Sequence, residues 1–202
     1  GRLELGYRLS KDKLFDVDPV EISPETGEFG GSSPILVGEQ GERVTSALGY
    51  SYNYDTRGTG LDPLTTWKLR FSQDFAGLGG DVESVTTTML AGVESRAWRE
   101  EVALRAEFEA GALVMLNDTE SRITDRFRGT GRIRGFESNG YGPRDLNAPN
   151  EDALGGNYFW AVRAEAQFPV GLPEEYGITG GLFADVGSIW GLDKTSYVKI
   201  GR

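Results

Sequence analysis

The chain has 202 residues, neither cysteine nor histidine, 31 acidic against 21 basic side chains, a net charge of −10 and a pI near 4.6. That composition excludes a disulfide framework, a Cys- or His-ligated metal centre, a Ser-His-Asp triad and a Cys-His pair. Scattered Lys and Arg in an acidic chain argue against a nucleic-acid partner, and the arginines between Arg126 and Arg134 form too short a run for a binding stripe. Catalysis by paired carboxylates is not excluded, since there are 31 Asp and Glu.

In chain order, period-two alternation predicts seven strands. The first covers Arg2 to Leu9. The second, Val44 to Asp55, sets Val44, Leu48, Tyr50, Tyr52 and Tyr54 against Thr45, Gly49, Ser51, Asn53 and Asp55. Trp67 to Phe75 separates Trp67, Leu69, Phe71 and Phe75 from Lys68, Arg70, Ser72 and Asp74, with Gln73 a polar blemish on the apolar side. Val82 to Trp98 alternates less cleanly. Glu101 to Leu116 is the clearest, because a helix would mix its two sets whereas a strand parts them. Asn157 to Phe168 and Ile178 to Trp190 complete the series.

Short connections are predicted at Leu78 to Gly80, Arg99-Glu100 and Gly171 to Gly177, and a middling one at Thr56 to Thr66. Two are long, near 18–43 and 117–156, and within the first, Ile22 to Ser33 reads as mobile. Counted alternately, both long connections and Leu78 to Gly80 fall at one end of the strands. The longest apolar runs have five residues, Ala112 to Leu116 and Tyr158 to Val162, against the roughly 20 that a spanning helix needs. Strands of about ten residues, aromatic strand ends and one charged face fit instead an all-β, antiparallel transmembrane barrel. A soluble β-sandwich binding module, for instance for carbohydrate, also alternates and is the alternative from another class. Seven strands leave two bare edges, so residues 1–202 are expected to be a partial barrel domain.

The segment Gly131-Arg-Ile133-Arg134-Gly135-Phe136-Glu-Ser-Asn-Gly-Tyr-Gly-Pro-Arg-Asp145, followed by Asp152-Ala-Leu-Gly-Gly-Asn157, resembles the sixth extracellular loop of the BamA family of outer-membrane assembly barrels. Phe183-Ala-Asp185-Val-Gly187-Ser-Ile-Trp190 resembles the strand motif that follows it in that family. The resemblance implies about seven strands of a roughly sixteen-stranded barrel. It also implies periplasmic POTRA domains before the barrel and a closing strand after it, neither present in these residues. The function it implies is insertion and folding of other β-barrel proteins in the bacterial outer membrane, without cofactor or metal and without a catalytic residue. The partners it implies are outer-membrane lipid, unfolded outer-membrane protein clients and accessory assembly lipoproteins. A related secretion translocator or TamA-like factor is the alternative within the superfamily.

Strand parity puts Glu165, with Arg163 and Gln167, on the polar face of its strand, and Asp185 opposite Leu182, Ala184 and Val186. Both carboxylates then point into the lumen. By resemblance, the loop folds back inside and Arg134 meets Asp185 and Glu165, with Gly135 at a tight turn and Phe136 packed within the lumen. A guanidinium suits this role, being always charged and able to grip a carboxylate through two parallel bonds. An acid–base pair of Glu165 and Asp185 is the competing reading, and an adjacent arginine favours the ion pair by keeping both carboxylates ionised. Gly129-x-Gly131-x-x-x-Gly135 lacks the spacing and following helix of a phosphate loop. Asp145 to Asp152 lacks the calcium-loop Gly and Glu and reads as turns. Asn117-Asp-Thr119 matches a glycosylation sequon, which means little in a bacterial envelope.

Overall fold

A computed structural model describes residues 1–22, 29–57, 64–98, 101–171, 176–193 and 200–201. Part of the Ile22 to Ser33 stretch, the Arg99-Glu100 turn, and parts of the Thr56 to Thr66 and Gly171 to Gly177 connections lie outside the described residues. One seven-stranded sheet dominates: β1 (Arg2–Leu14), β2 (Gly41–Asp55), β3 (Thr65–Ala76), β4 (Ser84–Ala97), β5 (Val102–Met115), β6 (Tyr158–Pro169) and β7 (Thr179–Trp190). Each strand pairs antiparallel with the next in sequence, so the wall is a simple meander. Among the described residues the outer edges of β1 and β7 are unpaired, and the sheet does not close.

Register carries the apolar set across the wall without a slip. Leu5 lies opposite Tyr50, Leu48 opposite Phe75, Phe71 opposite Met89, Met89 opposite Ala110, Ala110 opposite Trp160, and Trp160 opposite Ser188. A one-residue slip anywhere would move that set to the other face. These outward side chains stay bare, as Leu5, Leu48, Trp67, Leu104 and Leu182 are all exposed. An exposed apolar face of this breadth is unstable in water and at home in lipid. The shortest of the seven strands have 12 residues. At about 3.3 Å per residue and a tilt near 45°, 12 residues cover roughly 28 Å of membrane thickness.

Gln73 sits on that outward face and is satisfied there. It accepts from the Tyr50 hydroxyl at 2.6 Å and donates to Thr87 Oγ1 at 3.0 Å, so its amide is not left bare toward lipid. Gln73→Leu strands the Tyr50 hydroxyl and is expected to lower barrel stability by about 1 kcal/mol, whereas Tyr50→Phe combined with Gln73→Leu recovers most of the loss. Denaturant unfolding of the two variants in lipid checks this.

The tightly packed part of the molecule is a pair of loops at one end of the wall. The connection from β1 to β2 contains a short helix, α1 (Pro34–Gly38), whose N-cap Ser33 is fully buried. The connection from β5 to β6 folds over the inner face, burying Ile133, Ala148 and Leu154. It also explains why the inner face of β5 turns apolar at Leu113. That side chain is buried under the loop, and its amide donates to Asn157 O at 2.7 Å.

Candidate functional site

The inner face is a mesh of opposite charges. From β4 to β7, Glu94 on β4 pairs with Arg105 on β5 at 3.1 Å, and Arg105 reaches Glu165 on β6 at 3.4 Å. Beside that line, Arg163 on β6 pairs with Glu107 and, at 3.1 Å, with Glu109, both on β5. Across the register Glu94 faces Arg105, Arg105 faces Glu165, and Arg163 faces Glu107 and Asp185, so these charges inside the wall are neutralised locally.

The loop between β5 and β6 lies against this mesh. Arg132 stacks its guanidinium 4.2 Å from the Phe159 ring centroid and donates to Glu109 at 3.2 Å. Arg134 then makes the densest set of contacts. Its Nε and Nη2 donate to the two oxygens of Asp185, each at 2.8 Å, and its backbone N–H donates to Asp185 Oδ2 at 2.9 Å. Nη1 donates to Glu165 Oε2 at 2.6 Å, and the guanidinium lies 4.1 Å from the Phe183 ring centroid. Asp185 takes three of these hydrogen bonds with its side chain only 2% exposed. The carboxylates, Asp185 foremost and then Glu165, push the Arg134 guanidinium further above its ordinary value, so it is charged at any attainable pH.

The neighbours of Arg134 divide the remaining work. Gly135 has φ of 88°, a conformation that side-chain-bearing residues rarely adopt, and it reverses the chain at the tip. Ile133 is 7% exposed and packs toward Gly187 on β7. A Cβ at Gly187 would lie 2.6 Å from Trp160 O and 2.9 Å from Ile133 Cδ1. Gly187 is the gap in the wall that receives Ile133. Gly187→Ala is expected to unseat Ile133 at a cost of about 1–3 kcal/mol, detectable as faster hydrogen exchange across residues 131–136 with the strands unchanged.

Phe136 stands apart from Ile133 and Arg134 in this open wall. It is 54% exposed and meets Tyr141 edge-on, with ring centroids 5.4 Å apart. The chain turns at Gly135, leaving Ile133 as the buried apolar anchor on this part of the wall. Trp190, in the same strand motif as Asp185, has the opposite parity. It stacks on Tyr158 across the register at 5.8 Å on the outward face, as an interfacial aromatic does. Phe183 faces inward and is the platform under Arg134.

Several contacts at this end of the wall are not expected from the sequence. Asp145, fully buried, accepts from the Ser33 hydroxyl at 2.6 Å and from the Asn147 amide at 2.9 Å. Asp152 accepts from the Ser33 amide, also at 2.6 Å. The Asp145 to Asp152 segment, read as turns, is therefore also the socket for the first loop. Arg43, at the start of β2, pairs with Asp125 at 3.3 Å and donates to Glu120 O at 2.9 Å. The signal that would have found these pairs is the shared end of the two long connections, which forces them into contact.

An apolar outward face, a charge-lined inner face and a loop folded onto the inner wall define a segment of a transmembrane β-barrel with an internal loop. Comparison with known proteins narrows that class. Residues 1–199 match the Omp85 superfamily domain, and the chain belongs to that superfamily. It is 32% identical over 195 residues to outer membrane protein assembly factor BamA of Neorickettsia risticii, covering 96% of this chain and 24% of that protein. It is 30% identical over 149 residues to the sorting and assembly machinery component 50 homolog of Xenopus tropicalis, covering 72% of this chain and 31% of the relative. The chain thus spans about a quarter to a third of these relatives. Its fold also matches that of BamA from Haemophilus ducreyi lacking POTRA domains 1-3, with a TM-score of 0.72 and 17% identity over 94% of this chain and 38% of that one.

Proposed function

We propose that the parent protein inserts and folds β-barrel proteins in the bacterial outer membrane, and that the Ile133-Arg134-Gly135-Phe136 tip is a structural clamp within its barrel. The observation that carries this reading is the fork of Arg134 on Asp185 and Glu165, in a chain of the Omp85 superfamily whose relatives are named as assembly factors. Arg134 ties β6 to β7 from inside, and Glu165 passes the tie on to Arg105 and β5. Fixing these strands to one another holds the local curvature of the wall, since bidentate guanidinium pairing fixes orientation as well as distance. Such a protein works by offering clients a strained seam and a thinned bilayer, with no nucleotide, cofactor or catalytic side chain.

Residues 1–202 form one partial barrel domain in this reading. The bare edges of β1 and β7 are completed by strands elsewhere in the full chain, since open edges are not tolerated in lipid. POTRA domains precede the barrel and a closing strand follows it. Unfolded outer-membrane proteins, accessory lipoproteins and the surrounding lipid are the partners.

The test is complementation. Cells depleted of the native protein and supplied with the full-length Arg134→Ala variant are expected to accumulate unfolded outer-membrane proteins of many kinds. Normal assembly of all clients would count against the clamp. Failure of one secreted protein alone, with every barrel assembled, would point to a secretion translocator.

A further inference from the structure

We propose that Arg126 is a positioning residue that, together with Glu39, sets the neck of the long loop so that Arg134 reaches its carboxylates. This rests on the clamp reading above. The Arg126 side chain is 4% exposed and its donors are spread over three segments of chain. Nε donates to Ser121 Oγ at 3.0 Å and Nη2 to Ser121 O at 2.5 Å, on the outgoing limb of the loop. Nη1 donates to Leu154 O at 3.0 Å, on the returning limb. Nη2 also pairs with Glu39 Oε1, which belongs to the other loop. The second oxygen of Glu39 accepts from the Ile123 amide at 2.7 Å, so this carboxylate too binds the outgoing limb. One guanidinium therefore gathers both limbs and the neighbouring loop at a single point. Only arginine has enough donors in a rigid fork for that task.

From this point the chain runs directly to the clamp. Phe127 exchanges two backbone hydrogen bonds with Gly156, both 2.9 Å, and its ring lies 4.6 Å from that of Phe159. Phe159 carries Arg132 on its ring, and Ile133 and Arg134 follow. The loop from 116 to 157 would otherwise search a large volume before its tip found Asp185. Closing it at the neck shortens the free segment and lowers the entropic cost of seating the tip. Glu39 lies between α1 and β2, so the neck also joins the tip on β6 and β7 to the opposite part of the sheet.

The experiment is hydrogen exchange of residues 131–136 in the purified full-length protein in lipid nanodiscs, where the Arg134 amide bonded to Asp185 reports seating directly. Arg126→Gln and Glu39→Gln are each expected to speed tip exchange about tenfold, through more frequent local opening. Arg126→Lys, which keeps the charge beside Glu39, falls between them and the wild type. Arg43→Gln removes contacts from β2 to the same limb of the loop, at Asp125 and Glu120 O, but none made by Arg126 or Glu39, and is expected to leave the tip at the wild-type rate. If Arg126→Gln does not assemble, Glu39→Gln alone decides. Acceleration by Arg134→Ala but by neither neck variant overturns the proposal and leaves the clamp standing. Equal acceleration by Arg43→Gln overturns it too, since the effect is then general loosening of the loops. A tip that stays protected in Arg134→Ala overturns the clamp reading, and the proposal with it.

Discussion

Arg134→Ala is expected to give the largest effect of any single loop substitution, a several-fold drop in the amount of folded, heat-modifiable barrel recovered from membranes. The variant removes the side-chain bonds to Asp185 and Glu165 and the cation resting on Phe183. The severity comes from what is left behind. Asp185 has a nearly buried side chain and retains only the Arg134 backbone amide as a partner from the loop. A buried carboxylate deprived of its cation is far more costly than the pair was stabilising. Glu165 is more exposed and keeps Arg105 at 3.4 Å, so Glu165→Gln is expected to be mild. Comparing the recovered barrel of the two variants on semi-native gels checks the ranking. Arg134→Lys should resemble alanine more than wild type, because a point charge cannot span both oxygens of Asp185 while reaching Glu165.

Asp145→Ala is expected to release the first loop. The fully buried Asp145 takes the Ser33 hydroxyl and the Asn147 amide, and its loss leaves the buried Ser33 hydroxyl without that acceptor, whereas the exposed Asn147 can turn to water. The penalty is about 1–3 kcal/mol for the buried donor left unpaired. With Ser33 loosened, α1 loses its anchor. A helix of five residues has no stability of its own in water. The measurement is protease cleavage within residues 15–40 on intact cells. Rapid cutting is expected in Asp145→Ala, with the barrel strands still resistant. Asp145→Asn retains acceptor capacity and should be cut slowly.

Strands were legible in the sequence because sheet geometry imposes a period of two, and residues of one parity must all face lipid. Parity alone assigns Glu165 and Asp185 to the inner face, and the register places Asp185 opposite Arg163 and Glu165 opposite Phe183. It also marks Leu113 as an apolar residue on the wrong side, which the covering loop accounts for. No such rule governs loops. Whether Ile133 or Phe136 is buried depends on the direction of the chain after Gly135, and nothing periodic reports it. Glu39 and Arg126, or Ser33 and Asp145, come together because both loops leave the same end of the wall. The shared end brings the two segments together, but nothing periodic says which residues within them pair. Gln73, a blemish by pattern, becomes intelligible once Tyr50 and Thr87 are seen flanking it across the register.

The central claim joins a loop clamp to barrel assembly, and reconstitution tests both at once. The full-length protein is placed in vesicles, an unfolded outer-membrane protein is added, and its conversion to the heat-modifiable folded form is timed. The wild type is expected to accelerate folding well above empty vesicles, and Arg134→Ala, at equal amounts of reconstituted protein, to fall back close to the empty-vesicle rate. Folding by Arg134→Ala at the wild-type rate would contradict the account.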